Sequence, residues 1–353
     1  MKILYVITGL ALGGAEKVVA DLADQMSNLG HEVIIAYLTG DVLVRPRNLH
    51  IDIVALGLNN ISHLYKASMK YRKLVQRFQP DVVHAHMVHA NIFARINRIG
   101  CQIPKLICTA HNSNEGGKNR MLAYRYTNFL SDINTNVSQE ASESLIKKGA
   151  FDSKNLITVY NGIDLKKFDS IYISKASDEI TFLSVGRFNE QKDYPNLFKA
   201  IQILRNKTTE KVKFYIAGDG DLREQLEQLI IDLDISDYVV LLGKRSDIPH
   251  LLNKANYFVL SSKHEGLPTV VIEAMACGTF VIATDCGGSS EILGDTGILV
   301  PTENSEALAN AMSEALTYSK EDIRLNGLKA RKRVEELFSL EGSVEKWLSL
   351  YEN

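Results

Sequence analysis

The sequence lacks the features that mark several classes of protein. None of its four cysteines forms a C-x-x-C pair, and we expect Cys101, Cys108, Cys277 and Cys286 to be reduced core residues rather than disulfide or zinc ligands. Lys and Arg number 40 against 42 Asp and Glu, so the chain as a whole offers no electrostatic attraction to nucleic acid. No apolar run reaches the roughly 20 residues of a membrane-spanning helix. We expect a cytoplasmic protein, and any membrane contact should be peripheral.

The N-terminal stretch MKILYVITGLALGGA resembles a weak signal peptide, because one lysine precedes a short apolar run that ends in small residues. The residues that follow argue against this interpretation. GGAEKVVADLADQM continues at once with charges and with apolar side chains at helical spacing, such as Val18, Leu22 and Met26. The pattern predicts a strand, a glycine turn and a helix that form one folded unit.

Short β-branched segments alternate with helical patterns, which is typical of parallel sheets covered by helices on both faces. One series of predicted strands comprises residues 2–8, 32–38, 81–86, 105–111, 134–138 and 156–162; a second comprises residues 180–187, 212–220, 238–244, 257–262, 279–285 and 297–301. Between them, residues 164–179 break the periodicity and indicate a linker. Since 353 residues exceed the usual size of one core, we predict two Rossmann-like, doubly wound α/β domains. A ligand is expected in a cleft between them, at the carboxyl ends of strands.

Gly13 and Gly14 stand where the first predicted strand turns into a helix. Backbone N–H groups at a helix start favour an anion, and glycine allows its close approach, although a tight turn alone would also explain the pair. The turn is not G-x-G-x-x-G, and no acidic residue follows the second predicted strand until Asp41. A nicotinamide cofactor is therefore disfavoured.

VGRFNEQKDYPNLFKA places Arg187 at the end of a predicted strand and Lys192 in the polar loop that follows. Both cations can converge on one anion, with Arg as a planar fork and Lys as a point charge, as a diphosphate requires. Two solvated loop cations are the alternative. The strand-end placement favours the phosphate site.

HEGLPTVVIEA places Glu265 in the loop just before a Gly-Leu-Pro turn and Glu273 inside the helix that Pro268 is expected to begin. Carboxylates accept hydrogen bonds from vicinal hydroxyls, so one acid can hold a sugar and the other a ribose, while helix N-terminal amides meet phosphate oxygens. Acids placed to complement the helix dipole would explain Glu265 but not Glu273. The spacing matches the length of a nucleotide sugar.

Two patterns resemble metal sites. Asp219 and Asp221 have the D-x-D spacing, but a Gly-flanked turn that leads into a helix is the favoured interpretation. His84, His86 and His89 lie close together in HAHMVHAN, without a nearby carboxylate. A position near the acceptor or the sugar is favoured over metal binding for His86 and His89.

Taken together, these segments closely resemble the retaining glycosyltransferases of family 4, which have the GT-B fold. The resemblance rests on GGAEKVV, TAHN, NVS, VYNGID, VGRFNEQKDYPNLFKA, AGDGDLREQLE, LGKRSDIP and SSKHEGLPTVVIEAMACGTFVIATDCGGSSEIL. The motifs run in order from residue 13 to about residue 300, and the E-x7-E block is specific to this superfamily. The resemblance implies an acceptor domain at residues 1–165, a donor domain at residues 166–335, and a C-terminal helix at residues 336–353 that returns to the first domain.

The resemblance also implies a role for individual residues. Glu265 would contact the donor sugar and Glu273 the ribose, Arg187 and Lys192 would bind the diphosphate, and His111 of TAHN would lie by the transferred sugar. His111, Arg187, Lys192 and Glu265 form the implied catalytic set; the remaining donor-binding residues are Gly13, Gly14, Gly186, Lys244, Arg245, Gly266, Leu267, Pro268, Thr269 and Glu273. His86, His89 and Asn112 are expected on the acceptor side. Two positions depart from the family pattern: Asp193 replaces a common Gly, which puts the loop shape in doubt, and Phe280 replaces a Pro.

The predicted activity is transfer, with retention, of a hexose or N-acetylhexosamine from a nucleotide diphosphate sugar. UDP-sugars are favoured and GDP-mannose comes second. The acceptor would be a hydroxyl of a lipid-linked saccharide in surface polysaccharide synthesis. Arg187, Lys192 and helix amides can neutralise the leaving diphosphate, so neither a metal nor an organic cofactor is expected. A non-hydrolysing sugar-nucleotide epimerase and a non-catalytic nucleotide-sugar-binding subunit are the alternatives.

Residues 64–78, LYKASMKYRKLVQRF, mix five cations with apolar residues and predict an amphipathic helix. The cations are Lys66, Lys70, Arg72, Lys73 and Arg77. Such a helix suits anionic lipid headgroups at the inner face of the cell membrane. A solvated outer helix of the first sheet is an equal alternative.

Overall fold

The computed structural model describes residues 1–113, 116–170 and 179–352. The chain divides into two compact units: unit 1 comprises residues 1–162 and 341–353, and unit 2 comprises residues 163–340. The boundaries predicted from the sequence, after residues 165 and 335, differ from these by a few residues. Most of the predicted linker, residues 171–178, lies outside the described residues.

Unit 1 is a parallel sheet flanked by helices. In chain order its elements are β1 (Lys2–Ile7), α1 (Gly14–Asn28), β2 (Glu32–Tyr37), β3 (Asp52–Ala55), α2 (Leu64–Phe78), β4 (Val82–His86), α3 (Val88–Arg98), β5 (Lys105–Ala110), α4 (Lys118–Thr127), β6 (Ile133–Asn136), α5 (Gln139–Lys147) and β7 (Ile157–Thr158). The sheet order is β3-β2-β1-β4-β5-β6-β7. The chain therefore leaves β1 toward one side and later continues from β4 toward the other, which makes β1/β4 the topological switch point.

Unit 2 repeats the plan with a second sheet. Its elements are β8 (Ile180–Val185), α6 (Tyr194–Arg205), β9 (Val212–Ala217), α7 (Arg223–Asp232), β10 (Val239–Gly243), α8 (Ile248–Lys254), β11 (Tyr257–Leu260), α9 (Thr269–Ala276), β12 (Phe280–Thr284), α10 (Ser289–Leu293), β13 (Ile298–Val300), α11 (Ser305–Ala315) and α12 (Lys320–Leu337). The order β10-β9-β8-β11-β12-β13 puts the switch point between β8 and β11. The predicted pair of doubly wound α/β domains is confirmed.

The last helix, α13 (Leu340–Glu352), belongs to unit 1 from residue 341 onward. Side chains alternate across a strand, so one face of the unit 1 sheet presents Leu4, Val6 and Val83 to a core that also contains Tyr71 of α2. The opposite face presents Tyr5 and His84, which contact α13. Burial on both faces explains why these strands are predominantly apolar and β-branched.

The four cysteines are unpaired thiols, and Cys108, Cys277 and Cys286 are buried. Among the helices of the described ranges, none combines the length and the apolar character needed to cross a bilayer.

Candidate active site

The predicted donor residues of unit 2 follow the carboxyl ends of three strands. Gly186 and Arg187 come directly after β8, Lys244 and Arg245 after β10, and residues 261–268 connect β11 to α9. Carboxyl ends of parallel strands share one edge of the sheet, and the β8/β11 switch point opens a crevice there. The fold thus brings the Arg-Lys loop and the E-x7-E block to neighbouring strand ends.

An ion pair joins those two motifs directly. Lys192 Nζ lies 2.5 Å from Glu265 Oε1, and the Ser262 hydroxyl donates to the same oxygen at 2.7 Å. Gln191 Nε2 donates to Glu265 Oε2 at 3.4 Å. Because Glu265 is only 8% exposed, loss of either charge would leave the other buried without its partner. The pair therefore joins Lys192, the residue predicted to bind the diphosphate, to Glu265, the residue predicted to bind the sugar.

Gly186 and Asp193 shape the loop around Lys192. A Cβ at Gly186 would lie 3.0 Å from Lys192 Cε, so glycine leaves room for the lysine stem. Asp193 adopts φ +47°, ψ +47°, the left-handed conformation that glycine favours. The residue that replaces the family's glycine thus adopts a conformation that glycine favours, and Asp is among the side chains that tolerate this region. Asp193 is also 3.8 Å from Lys263 Nζ.

The second acid lies in α9, which begins at Thr269. Pro268 occupies the N-cap, one residue before the position expected for it, with Gly266, Leu267 and Pro268 buried. Glu273 is the fifth helical residue and is 7% exposed. Glu265 and Glu273 thus flank the N-terminal turn of the helix, where backbone N–H groups concentrate positive potential.

Two supporting residues escaped the sequence reasoning. The Gly288 N–H donates to the Gly266 carbonyl at 2.8 Å. Gly287 has φ +53°, and a Cβ there would lie 2.4 Å from the Glu265 carbonyl oxygen. Because neither a side chain nor a different conformation fits, the Gly-Gly pair holds the backbone of Glu265 and Gly266 in place. In the sequence, the CGGSS segment, near the end of the block that contains the E-x7-E motif, is the feature that could have indicated this glycine pair.

Arg187, Lys244 and Arg245 are exposed. Arg245 makes a bidentate contact with Asp247 of its own loop, at 2.8 and 2.6 Å. That contact compensates its charge locally, whereas Lys192 is held by an acid from another motif.

In unit 1 the histidines gather at the carboxyl ends of β4 and β5. His86 Nδ1 lies 2.9 Å from His111 Nε2, and the rings of His84 and His86 have centroids 3.9 Å apart. His84 and His86 are fully buried, His111 is partly buried, and His89 is exposed on α3. Burial lowers the pKa of His111 to about 4 and holds the pKa values of His84 and His86 well below the ordinary value. All three imidazoles are therefore neutral near pH 7.

The other predicted residues of unit 1 lie nearby in the chain. Gly13 is the N-cap of α1, and Gly14 begins the helix after the β1 end. A Cβ at Gly14 would meet no atom of the described residues within 4 Å, which leaves room for close approach to its backbone. Asn112, directly after His111, is partly buried.

The candidate metal motifs have other partners. Asp219 forms a turn after β9, in which its Oδ1 accepts from the Gly220 N–H at 3.0 Å, and it lies 3.7 Å from Arg223. Within the ranges that the structure describes, no group of three or more His, Cys, Asp or Glu side chains is arranged to hold a metal ion.

Two doubly wound α/β units, with acids and cations at the second switch point, are the architecture of GT-B glycosyltransferases. Family models match almost the whole chain: "Glycosyltransferase Family 4" covers residues 12–167, and "Glycosyl transferases group 1" covers residues 167–332. The chain belongs to this glycosyltransferase family, and the resemblance stated from its motifs is confirmed.

Relatives of known name align over most of the chain. It is 28% identical, over 99% of its length and 98% of the relative, to the GalNAc-alpha-(1->4)-GalNAc-alpha-(1->3)-diNAcBac-PP-undecaprenol alpha-1,4-N-acetyl-D-galactosaminyltransferase of Campylobacter jejuni. It is 26% identical, over 78% of each chain, to the UDP-Gal:alpha-D-GlcNAc-diphosphoundecaprenol alpha-1,3-galactosyltransferase of Escherichia coli. Among solved structures, Anabaena HepE in complex with UDP superposes with a TM-score of 0.86 at 20% identity, over 100% of both chains.

The buried histidines should make unit 1 sensitive to acid. Their lowered pKa values mean that the unfolded chain, with values near 6.5, binds more protons than the folded one. The contribution is intact above about pH 6.5 and is lost as pH falls toward the folded values, by up to about 1.4 kcal/mol per pH unit for each group. Urea unfolding between pH 7.5 and 5, followed by the fluorescence of Trp347, the one tryptophan of the sequence, measures this slope.

A matched pair of variants isolates the effect. His86→Asn should reduce the pH slope of the free energy of unfolding, whereas His50→Gln, at an exposed histidine, should leave it unchanged. Equal slopes for His86→Asn and the wild type would contradict the prediction.

The left-handed conformation of Asp193 gives a second prediction. Asp193→Gly and Asp193→Ala both remove the carboxylate, but only alanine brings a Cβ into the left-handed region, which costs about 1 kcal/mol. The glycine variant should therefore be the more stable of the two by about that amount, measured by calorimetric unfolding of the full chain. Equal stabilities of the two variants would mean that the left-handed conformation does not restrict which residue can occupy position 193.

Proposed function

We propose that the protein transfers a hexose or an N-acetylhexosamine, with retention of configuration and without a metal, from a nucleotide diphosphate sugar to a lipid-linked saccharide. The donor is a UDP-sugar in this proposal. The observation that carries it is the Lys192–Glu265 pair at the β8/β11 switch point.

The contacts of unit 2 support one role for each part of the donor. Lys192 and Arg187 are the cations of one loop, and they would bind the diphosphate together with the N-terminal amides of α9. Glu265, already held by Lys192 and Ser262, would accept hydrogen bonds from sugar hydroxyls. Glu273, about one turn after the start of α9, would accept hydrogen bonds from the ribose hydroxyls. Gly266, Leu267, Pro268 and Thr269 would form the wall between the two acids.

In unit 1, the family resemblance assigns Gly13, Gly14 and His111 to the donor, and we expect His86, His89 and Asn112 on the acceptor side. The partly buried ring of His111, neutral near pH 7, is suited to hydrogen bonding with an uncharged sugar hydroxyl. The full burial of His86 favours action through His111 over direct contact with the acceptor.

The relatives support the substrate classes. The Campylobacter jejuni and Escherichia coli enzymes carry undecaprenol-linked saccharides in their names, the second names UDP-Gal as its donor, and HepE binds UDP. These names favour a UDP-sugar donor and a diphosphoundecaprenol-linked acceptor for this chain.

The proposed chemistry is electrostatic. As the bond between the anomeric carbon and the diphosphate oxygen breaks, negative charge develops on the leaving phosphate, where Arg187, Lys192 and the helix amides stabilise it. The acceptor hydroxyl attacks the same face of the sugar, and its proton passes to the leaving phosphate. Attack from that face accounts for retention without a covalent enzyme intermediate.

Helix α2 supports peripheral attachment to a membrane. It carries no acidic residue; Tyr65 in its first turn and Ile61, just before the helix, are 76% and 84% exposed. Arg72 donates to the Ile99 carbonyl at 3.1 Å and is thereby tied to the fold. Exposed Lys66, Lys70, Lys73 and Arg77 would meet anionic headgroups, with the apolar side chains at the interface.

A donor panel tests the activity. The purified full chain is incubated with UDP- and GDP-sugars in EDTA, with or without an undecaprenyl-diphosphate-linked sugar, and release of nucleoside diphosphate is followed. Acceptor-dependent release from one donor is the expected result. An altered sugar nucleotide formed without acceptor would indicate an epimerase, and donor binding without turnover on any acceptor would indicate a non-catalytic subunit.

Lys192→Ala should reduce turnover about 10²- to 10³-fold, the cost of one lost stabiliser of a developing anion. Lys254→Ala, at an exposed lysine of the same unit, is the control. Because Lys192→Ala also strands the Glu265 carboxylate, Lys192→Met is compared with the wild-type lysine in a Glu265→Gln background, where loss of the cation leaves no unpaired carboxylate behind. Wild-type turnover in Lys192→Ala would overturn the diphosphate assignment.

Replacing the four exposed cations of α2 by glutamine should weaken sedimentation with vesicles of 30% phosphatidylglycerol at least tenfold, since each basic residue contributes about 1 kcal/mol. The control removes the same charge from α12 of unit 2, at Lys320, Arg324, Lys329 and Lys332. Equal loss in both variants would indicate a non-specific charge effect, and no loss in either would exclude α2 as the membrane contact.

A further inference from the structure

A polar stripe crosses the middle of the unit 1 sheet, where a buried parallel sheet is normally apolar. The registers align His86 with Thr109 and Thr109 with Thr135 on neighbouring strands. His84 Nε2 lies 2.7 Å from the Thr109 hydroxyl, which lies 2.7 Å from that of Thr135. Buried polar groups of this kind are costly unless they are paired, so the hydrogen bonds of the stripe fix the positions of its side chains.

The far end of the stripe lies on the C-terminal helix. Tyr351 of α13 places its hydroxyl 2.7 Å from His84 Nδ1 and 3.2 Å from the Tyr5 hydroxyl. Trp347 packs against the His84 ring with centroids 4.5 Å apart. Both nitrogens of His84 are therefore occupied, and its ring cannot turn without breaking a buried hydrogen bond.

The near end of the stripe reaches His111. The immobilised His84 ring lies 3.9 Å from the His86 ring, and Tyr5 contacts His86 from a centroid distance of 5.8 Å. His86 uses Nδ1 toward His111 Nε2, and among the residues that the structure describes its own Nε2, which is buried, has no hydrogen-bond partner.

That unpartnered nitrogen assigns the tautomers. A neutral imidazole has one N–H and one acceptor nitrogen. If the His86 proton were on Nε2, a buried N–H would have no acceptor, and such donors are rarer in proteins than acceptors that lack a donor. The proton therefore belongs on Nδ1, from which His86 donates to His111 Nε2. His111, as a neutral imidazole, must then carry its own proton on Nδ1.

We propose that His86 is a positioning residue that fixes the ring and the tautomer of His111, and that Tyr351 extends this control through His84 to the C-terminal helix. The proposal rests on the proposed function in one respect, the contact of His111 with the transferred sugar. It does not depend on which sugar or acceptor is used.

The first test reads the tautomer without any activity. In full-length protein labelled with ¹⁵N-histidine, the two-bond proton–nitrogen spectrum should show His111 protonated at Nδ1. In His86→Leu the preference should be lost, and in His86→Asn, whose amide nitrogen stands near the Nδ1 position, it should return. A His111 protonated at Nε2 in the wild type, or unchanged in His86→Leu, would overturn the proposal even if the protein proves to be a transferase.

The second test is kinetic. His86→Leu should lower kcat about 10- to 100-fold, the range found for residues that orient a functional imidazole, with little change in KM for the donor and partial rescue by His86→Asn. In a His111→Ala background His86→Leu should add nothing, because residues that act as one unit are not additive. Additive losses would mean that His86 acts only on the fold. A normal kcat in His111→Ala would contradict a catalytic role of His111, and thereby the kinetic effect proposed for His86, without contradicting the transferase activity.

Tyr351→Phe tests the extension to α13 and should lower kcat about threefold or more, with a shift of the His111 nitrogen resonances. Tyr71→Phe is the matched control, because the Tyr71 hydroxyl is also fully buried against the same sheet but has no hydrogen-bond partner in the described part of the chain. Equal behaviour of the two variants would confine the positioning role to His86.

Discussion

The buried ion pair between Lys192 and Glu265 is the constraint on which the site of unit 2 depends. Glu265 is buried and Lys192 is partly buried, so separating the two charges would leave a buried carboxylate without its counter-ion. The pair therefore fixes the loop after β8 against the loop after β11. Ser262, Gln191 and the Gly287–Gly288 turn hold the acid from its other sides.

The parallel topology explains why the site forms where it does. In both units the chain reverses its direction of winding beside the first strand, so that a crevice opens at the carboxyl ends of two adjacent strands. The Lys192 loop and Glu265 flank that crevice in unit 2, and Gly13 and His86 flank it in unit 1. Residues far apart in the chain thus meet because they follow strands that are neighbours in the sheet.

The sequence predicted the features that are local in the chain. Alternating segments gave both sheets, and the position of Glu273 inside a helix followed from the Gly-Leu-Pro turn before it. It could not predict that Asp193 adopts a left-handed conformation, since that depends on the surrounding loop. Nor could it join Tyr351 to His84, because 267 positions separate them and only the return of α13 to unit 1 brings them together. The close spacing of His84 and His86 in the sequence resembled a metal site because a sequence pattern does not show which side chains the imidazoles contact in the fold.

The two units differ in the kind of polar group that they bury. Unit 2 buries charges in a pair, and unit 1 buries imidazoles whose desolvation keeps them neutral. Under the proposed assignment Lys192 of the pair binds the diphosphate, and His111 contacts a hydroxyl of the sugar. A diphosphate is anionic and requires cations, whereas a sugar hydroxyl is neutral and requires a donor or acceptor of defined direction. A charged histidine at position 111 would carry N–H groups on both nitrogens and could no longer accept a hydrogen bond from His86. The proposed contact between the two rings therefore requires a neutral His111 of fixed orientation.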